Sequence, residues 1–148
     1  MLEDAHGVCG YVLGALDSEQ FYAAYRARWL PPLCEKFPAP TGDPRLWTMS
    51  QRLHYEFHHP QVYCPETFRP YPAHLHVDLL ARAQGRGLGA RMLGVLLDEL
   101  RSRRSPGVHL AMSGLNHRAF RFYQKLGFQE LDRVGTGADE TLFLCRTL

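Results

Sequence analysis

A glycine-rich run behind an apolar strand constrains the fold of this chain more than any other stretch. Leu79 and Leu80 close the predicted strand, and the run from Ala83 to Ala90 then carries glycine at three alternate positions. Glycine allows a sharp turn and leaves the backbone amides open to a ligand, because no Cβ shields them. An amphipathic helix from Leu88 to Arg103 is predicted next. Its first amides lack acceptors, so the turn favours an anion, best a phosphate or pyrophosphate.

The glycine spacing leaves more than one kind of turn open. A Walker A loop is excluded, because no Lys follows the glycines. A dinucleotide fingerprint fits if Gly85 and Gly87 are followed by Ala90 at the third position. Against that hypothesis, the first strand of such a domain begins the fold, whereas this strand lies past the middle of the chain. A strand-to-helix turn without any ligand is the third interpretation.

Composition limits the class of protein. The 148 residues are predicted to form one domain, 1–148, with a core of its own. The formal net charge of +2 is too small to argue for nucleic acid as a partner. No apolar run approaches the ~20 residues that cross a bilayer, and the first residues lack the regions of a signal peptide, so no membrane partner is expected. Four scattered cysteines without a C-x-x-C pair predict free, mostly buried thiols, no metal site and a cytoplasmic location.

The first half of the chain is predicted to hold one buried strand, 7–16, and two helices. Asp17 or Ser18 caps the first helix, and Pro31-Pro32 is expected to break or kink its end. Its aromatic stripe is predicted to lie in the core or, as the alternative, to line a substrate cleft: Phe21, Tyr22, Tyr25, Trp29 and Leu33. The second helix begins at Pro44 and turns four apolar side chains inward: Leu46, Met49, Leu53 and Phe57.

The strand before the glycine turn, 73–80, alternates apolar and polar residues. Its polar face carries His74, His76 and Asp78 and is predicted to be buried if the strand is central. Since an unpaired buried carboxylate is costly, Asp78 must be hydrogen-bonded or line a wet cleft. This cluster has either a structural or a chemical role.

The rest of the chain is predicted to complete a crossover and a hairpin. A strand, 108–112, follows the long helix, and the order strand, helix, strand implies a parallel, right-handed crossover. Asn116 caps the last helix, and Gly127 ends it in the left-handed conformation. Residues 128–133 and 140–146 form a final strand pair.

Two motifs resemble those of the GNAT acetyltransferases. Gln84, Gly87 and Gly89 match the acyl-coenzyme A loop, Gln/Arg-x-x-Gly-x-Gly/Ala. The run from Asn116 to Phe128 matches the second signature, Asn-x-x-Ala-x-x-Phe/Leu-Tyr-x-Lys/Ser-Leu-Gly-Phe. More narrowly, three runs are similar to the acetyltransferase-like C-terminal domain of animal O-GlcNAcases and its bacterial relatives: 71–78, 107–110 and 116–117.

This resemblance implies the fold. It is an α/β fold, α+β in some schemes, with a mixed, mostly antiparallel sheet, a central pair of splayed parallel strands and helices on both faces. The usual first strand and its two helices have no room before Gly7. We therefore expect a shortened N-terminal part, or helices between Asp17 and His59 that close the acceptor side.

The resemblance also implies an acetyl-CoA-dependent N-acetyltransferase, in which a small-molecule or peptide amine attacks the thioester directly in a ternary complex. Tyr123 would protonate the leaving thiolate, because its reference pKa of ~10 is not far above that of a thiol. Asn116 would bind the cofactor arm or simply cap its helix. The implied residues for acetyl-CoA are Val77, Asp78, Leu79, Gln84, Gly85, Arg86, Gly87, Leu88, Gly89, Ala90, Asn116 and Tyr123.

The chain departs from the family at its general base. Many members carry a Glu where this chain has Ala111. The base is therefore expected among Asp78, His76 and His109, or through water. The alternative is a catalytically silent module that binds coenzyme A or a protein partner. The acceptor and the oligomeric state, a homodimer included, stay open.

Overall fold

A computed structural model describes all residues of the chain, Met1–Leu148. They form two compact units, the first made of 1–18 and 65–148, the second of 19–64. The strands are β1 Leu2–Asp4, β2 Gly7–Ala15, β3 Ala73–Leu79, β4 Gly107–Ser113, β5 Gln129–Val134 and β6 Thr141–Thr147. The α-helices are α1 Ser18–Ala24, α2 Leu30–Lys36, α3 Met49–His58, α4 Leu88–Ser102 and α5 His117–Lys125. No helix is both long enough and apolar enough to cross a bilayer.

The first unit is built on one six-stranded sheet, in the order β1-β2-β3-β4-β6-β5. Adjacent strands in this sheet are antiparallel except β3 and β4, which are parallel. The predicted mixed sheet with one parallel pair and a C-terminal hairpin is confirmed. An all-parallel dinucleotide-binding sheet is excluded.

Helix α4 forms the crossover and closes one face of the sheet. Its apolar stripe places Leu93, Leu97 and Leu100 in the core, each at most 3% exposed. They pack in one cluster with Leu75 of β3 and Val108 of β4. Burying a side chain of this size stabilises the fold by roughly 1.5–3 kcal/mol. The period of 3.6 residues therefore fixes which face of α4 meets the sheet.

The parallel pair is short. Strands β3 and β4 are in register only at Ala73 with Val108 and at His74 with His109. Beyond this point β3 continues beside β2 alone, up to the pair of Leu79 with Gly10. The backbone of β3 that would face β4 is therefore left without a strand partner from Leu75 onward.

The N-terminal residues contain a strand that the sequence did not predict. Leu2–Asp4 forms β1, which pairs antiparallel with the start of β2. The tight turn between them needs Gly7, whose φ of +92° favours glycine. A short strand therefore does fit before Gly7, while the two helices of the usual N-terminal part do not precede it, so this part of the fold is shortened as expected.

In the second unit the first helix does not end at its prolines. Helix α1 continues through a π-helical segment, Tyr25–Trp29, into α2, where the prolines occupy the first turn. Proline is tolerated there because the first amides of a helix need no intrahelical acceptor. The aromatic stripe is not core: Phe21 is 46% and Trp29 63% exposed.

The second predicted helix starts later than expected. Pro44–Leu46 is a separate 3-10 turn, and α3 begins at Met49 behind Thr48. Thr48 and Gln51 form a capping box, which stabilises a start at this position. Leu46, Met49 and Leu53 are 82%, 81% and 51% exposed, so the inward placement of these three side chains is wrong. Among the cysteines, Cys9 and Cys145 are buried and Cys64 is exposed.

Candidate active site

A cleft of about 550 Å³ opens where β3 runs on without β4. Its walls are the end of β3, the glycine turn and one face of α5. The lining residues are Val77, Asp78, Leu79, Ala83, Gln84, Gly85, Gly87, Leu88, Gly89, Ala90, Asn116, Arg118, Ala119, Phe122 and Tyr123. Every residue that the resemblance assigns to acetyl-CoA lies here except Arg86. The structure thus brings together residues that are up to 46 positions apart, from Val77 to Tyr123.

The glycine turn presents open backbone amides to this cleft. Gly85 and Gly87 have φ of +75° and +73°, and Gly87 is the N-cap of α4. A Cβ built on either glycine meets no atom within 4 Å, so both positions face open space. The amides of the first turn, 88–90, precede the first helical hydrogen bond of α4, from the Arg91 amide to the Gly87 carbonyl. These donors and the helix dipole make the turn an anion site.

Gln84 is held by hydrogen bonds at both ends of its amide. Its Nε2 donates to the Leu79 carbonyl at 2.8 Å, and its Oε1 accepts from Arg118 Nη1 at 2.8 Å. The guanidinium of Arg118 therefore stands at the glycine turn. Arg118 and Phe122 were not predicted as site residues, although their spacing of four residues places both on one face of α5.

Asn116 caps α5 and lines the cleft. Its Oδ1 accepts from the Ala119 amide at 3.0 Å. This bond satisfies one of the free donors at the helix start. The capping role is thus present without a ligand, while a role toward the cofactor stays a prediction.

Tyr123 places a buried ring and an open hydroxyl in the cleft. The residue is 7% exposed, and its ring packs edge-on against Phe128. No buried side-chain oxygen or nitrogen lacks a hydrogen-bond partner. Since no side chain binds the Tyr123 hydroxyl, its oxygen is not fully buried, and Tyr123 is among the residues that line the cleft. Burial, with a smaller effect from the Asp78 charge, raises the pKa of Tyr123 to about 12.

Asp78 belongs to a three-residue cluster on the polar face of the sheet. Its Oδ2 accepts from the Tyr11 hydroxyl at 2.8 Å and lies 3.0 Å from His76 Nε2. The rings of Tyr11 and His76 stack with centroids 5.8 Å apart. The hydrogen bonds from His76 and then from Tyr11 lower the pKa of Asp78. The polar face is not buried here, because the side chains of His76 and Asp78 are 60% and 65% exposed.

Sequence reasoning did not find Tyr11 as a member of this cluster. Tyr11 meets Asp78 through the register of β2 on β3, in which the two residues are paired. Alternation within one strand predicts its face but not its partner on the next strand. No signal in the sequence identified this contact.

His109, one of the candidate bases, is buried and serves the packing of the fold. It is 6% exposed, whereas the side chain of His76 is 60% exposed. Neither histidine is among the residues that line the cleft. Its Nδ1 lies 2.7 Å from the Tyr71 carbonyl, which can only accept, so His109 donates. Burial lowers the pKa of His109. The neighbouring His74, whose Nδ1 lies 2.8 Å from Ser18 Oγ, has its pKa lowered to about 4 by burial first and by His109 second.

Comparison with known proteins agrees with this geometry. The model of the acetyltransferase (GNAT) family matches residues 67–128. The protein O-GlcNAcases of Rattus norvegicus and Mus musculus are each 30% identical to the chain over 149 residues. The alignment covers 100% of this chain and only 16% of either relative.

Solved structures show the same fold. SsHAT is 37% identical, with a TM-score of 0.81 over 97% of this chain and 68% of that one. Naa20 of Chaetomium thermophilum, solved with a bisubstrate analogue, has a TM-score of 0.59 over 99% of this chain and 64% of its own. Its identity of 18% shows the fold alone. The resemblance found in the two sequence motifs is therefore confirmed, and the chain belongs to the GNAT family of acetyltransferases.

Proposed function

We propose that the chain is an acetyl-CoA-dependent N-acetyltransferase that acts on a primary amine, either a small molecule or a peptide. One observation carries the proposal. The parallel strands part after two residue pairs, and the glycine turn and Tyr123 both line the cleft at this opening. Such a cleft offers donors for phosphates and a hydroxyl for a sulfur atom.

The residues of the cleft fit coenzyme A in three respects. The open positions at Gly85 and Gly87 allow phosphates to approach the amides of α4. Arg118 supplies a guanidinium at the same turn, and charge-assisted bonds to phosphate are strong. The free edge of β3 at 77–79 can pair with the amides of the pantetheine arm, as an added strand would.

In the proposed reaction the amine attacks the thioester carbonyl directly, with both substrates bound. A backbone amide near Leu79 stabilises the oxyanion. Tyr123 stays protonated at neutral pH, since its pKa is raised to about 12. Transfer of its proton to a thiolate is uphill, because a thiol has a reference pKa of about 8.5. Tyr123 therefore stabilises the departing sulfur as a hydrogen-bond donor, and Asp78 or His76 takes the amine proton.

The second candidate is a silent module that binds coenzyme A or a protein partner. One observation favours it: Ala111 is an exposed position on β4 and carries no carboxylate, where many family members have their base. A module of this kind would keep the anion site and lose turnover. Binding and catalysis are therefore measured separately.

Calorimetry with acetyl-CoA and with coenzyme A, followed by a thiol-release screen over amines and peptides, tests the proposal. Binding together with acceptor-dependent thiol release is expected. Binding without release on any acceptor supports the silent module, and no binding contradicts both.

Three further expectations belong to this proposal. We propose that residues 1–148 act as one acetyltransferase-like domain and that it works in the cytoplasm. No nucleic acid or membrane partner is proposed. Light scattering, with and without acetyl-CoA, measures whether the chain is a monomer or a homodimer.

A further inference from the structure

The cluster around Asp78 leaves one basic atom free. Both hydrogen bonds of the carboxylate, from Tyr11 and from His76, converge on the same oxygen, Oδ2. The other ring nitrogen of His76, Nδ1, has no hydrogen-bond partner in the structure. The imidazole is thus bound at one nitrogen and available at the other.

The tautomer of His76 follows from its partners. The Asp78 carboxylate accepts from Tyr11 and is ionised at neutral pH, so it can only accept from Nε2 as well. In a neutral ring the proton then sits on Nε2, and Nδ1 carries the lone pair. The stacked Tyr11 ring, at an interplanar angle of 23°, limits rotation of the imidazole. The lone pair of Nδ1 therefore belongs to an exposed ring that the hydrogen bond at Nε2 and the Tyr11 contact orient.

Asp78 itself is poorly suited to accept the amine proton. Two donors already bind its charged carboxylate, and both hydrogen bonds weaken when the carboxylate is protonated. The same two donors lower its pKa, which moves it further from the pH at which a base works well. A carboxylate in this state orients and stabilises a neighbouring cation.

We propose that His76, which does not itself line the cleft but is hydrogen-bonded to the cleft residue Asp78, is the general base through Nδ1. Tyr11 and Asp78 are positioning residues that fix its tautomer and orientation. This inference rests on the proposed function. The titratable groups around His76 are Tyr11 on β2 and, on its own strand, His74 and Asp78.

The proposed acetyl transfer needs no reactant other than the amine and acetyl-CoA. The amine nitrogen forms a bond to the thioester carbonyl carbon, and its surplus proton passes to His76 Nδ1, directly or through one water. The carbon–sulfur bond breaks, and the sulfur leaves as a thiolate hydrogen-bonded to Tyr123. The imidazolium, stabilised by Asp78, then returns its proton through solvent to the thiolate. The products are the amide and coenzyme A.

Profiles of kcat/KM from about pH 5 to 9 test the assignment, because a base loses its function when it is protonated. An aromatic amine is used as acceptor, because it stays neutral and adds no acid limb of its own. For the wild type, log kcat/KM is expected to fall with a slope of one as the pH is lowered, which forms the acid limb of the profile. His76→Gln is expected to lose about 100-fold at neutral pH and to lose this limb.

The positioning residues are expected to behave differently from the base. Asp78→Asn keeps the limb but lowers kcat, because the imidazolium that forms in the reaction loses its negative partner. Tyr11→Phe lowers kcat about threefold to tenfold and keeps both the limb and the affinity for acetyl-CoA. His6→Gln removes an exposed histidine outside the cluster and is expected to match wild type.

Each competing result has its own meaning. If His76→Gln keeps the wild-type limb, or if Tyr11→Phe has the wild-type kcat, the assignment is overturned. A wild-type protein that binds acetyl-CoA but acetylates no acceptor contradicts the proposed transferase instead. Calorimetry with acetyl-CoA on every variant separates these outcomes from a failure to fold or to bind.

Discussion

At the scale of single residues, the cleft combines groups whose properties come from their surroundings. The hydroxyl of Tyr123 is a weak acid because its ring is buried in the core. The carboxylate of Asp78 is a weak base because two donors hold one of its oxygens. Neither property belongs to the residue type alone. The role of each residue can be tested by a substitution whose effect on kcat is measured.

Tyr123→Phe is expected to lower kcat at least tenfold and to leave acetyl-CoA affinity within about twofold of wild type. The hydroxyl acts mainly on charge that develops on the sulfur, whereas the buried ring is kept. Stopped-flow measurement of thiol release gives kcat, and calorimetry gives the dissociation constant. An equal loss of binding and turnover would make Tyr123 a packing residue.

Gly87→Ala is expected to weaken acetyl-CoA binding about tenfold, or ~1.4 kcal/mol. The added Cβ would stand in the open space before the first amides of α4. Gly137→Ala is the matched control, because Gly137 also has a positive φ, +63°, and an equally open Cβ position, but lies in the final hairpin. Both variants carry a similar backbone penalty. Equal affinities in calorimetry would show that the turn does not bind the phosphates.

At the scale of elements, the start of β4 fixes where the parallel pair begins. Gly107 opens this strand, and a Cβ there would lie 2.7 Å from the Pro70 carbonyl oxygen and 2.5 Å from Tyr71 Cδ1. The segment before β3 thus packs directly on the backbone of β4. This contact holds the two strands together at one end, while they separate at the other.

Gly107→Ala is therefore expected to reduce the free energy of unfolding by about 1–3 kcal/mol, since a backbone oxygen must move. Gly94→Ala is the matched control: Gly94 lies inside α4, and a Cβ there meets no atom within 4 Å. That change should stabilise the protein by about 0.5–1 kcal/mol, because alanine favours a helix over glycine. Urea unfolding gives both values, and two shifts of the same sign would contradict this account of β4.

At the scale of the whole molecule, the buried His109 and the half-buried His74 link stability to pH. His74 and His109 lie side by side on the parallel pair, and burial lowers the pKa of each. An unfolded histidine binds a proton near pH 6.5. Since the folded His74 does so only at about 4, the unfolded state binds more protons between these values.

Stability is therefore expected to be greatest above about pH 6.5 and to fall toward pH 4, by on the order of 2 kcal/mol. The carboxylates with lowered pKa values, such as Asp78, act in the same direction but only below their ordinary range. His74→Gln should remove most of the loss between pH 6.5 and 4. Urea unfolding midpoints of both proteins across this range measure the loss of stability. If the midpoints of both proteins fall equally with pH, other groups cause the loss.

Local features of this protein were predictable from the sequence. The glycine turn, the buried stripe of α4, the Asn116 cap and the left-handed Gly127 each depend on residues within a few positions of one another. Helical periodicity and the free groups of helix ends are local physics, so one stretch of sequence suffices to predict them. These features also carried the two motifs that identified the family.

Tertiary structure decided what depends on residues far apart in the chain. The register of β2 on β3 brings Tyr11 to Asp78, 67 positions away. The early parting of β3 and β4 turns an anion-binding turn into one wall of a cleft. Packing around Tyr123 sets its acidity, and the cap at Thr48 sets where α3 begins. The sequence by itself determined the elements around the cleft and the family, because these follow from local pattern. Pairing, burial and hence the chemistry of the cleft arise only when distant segments meet.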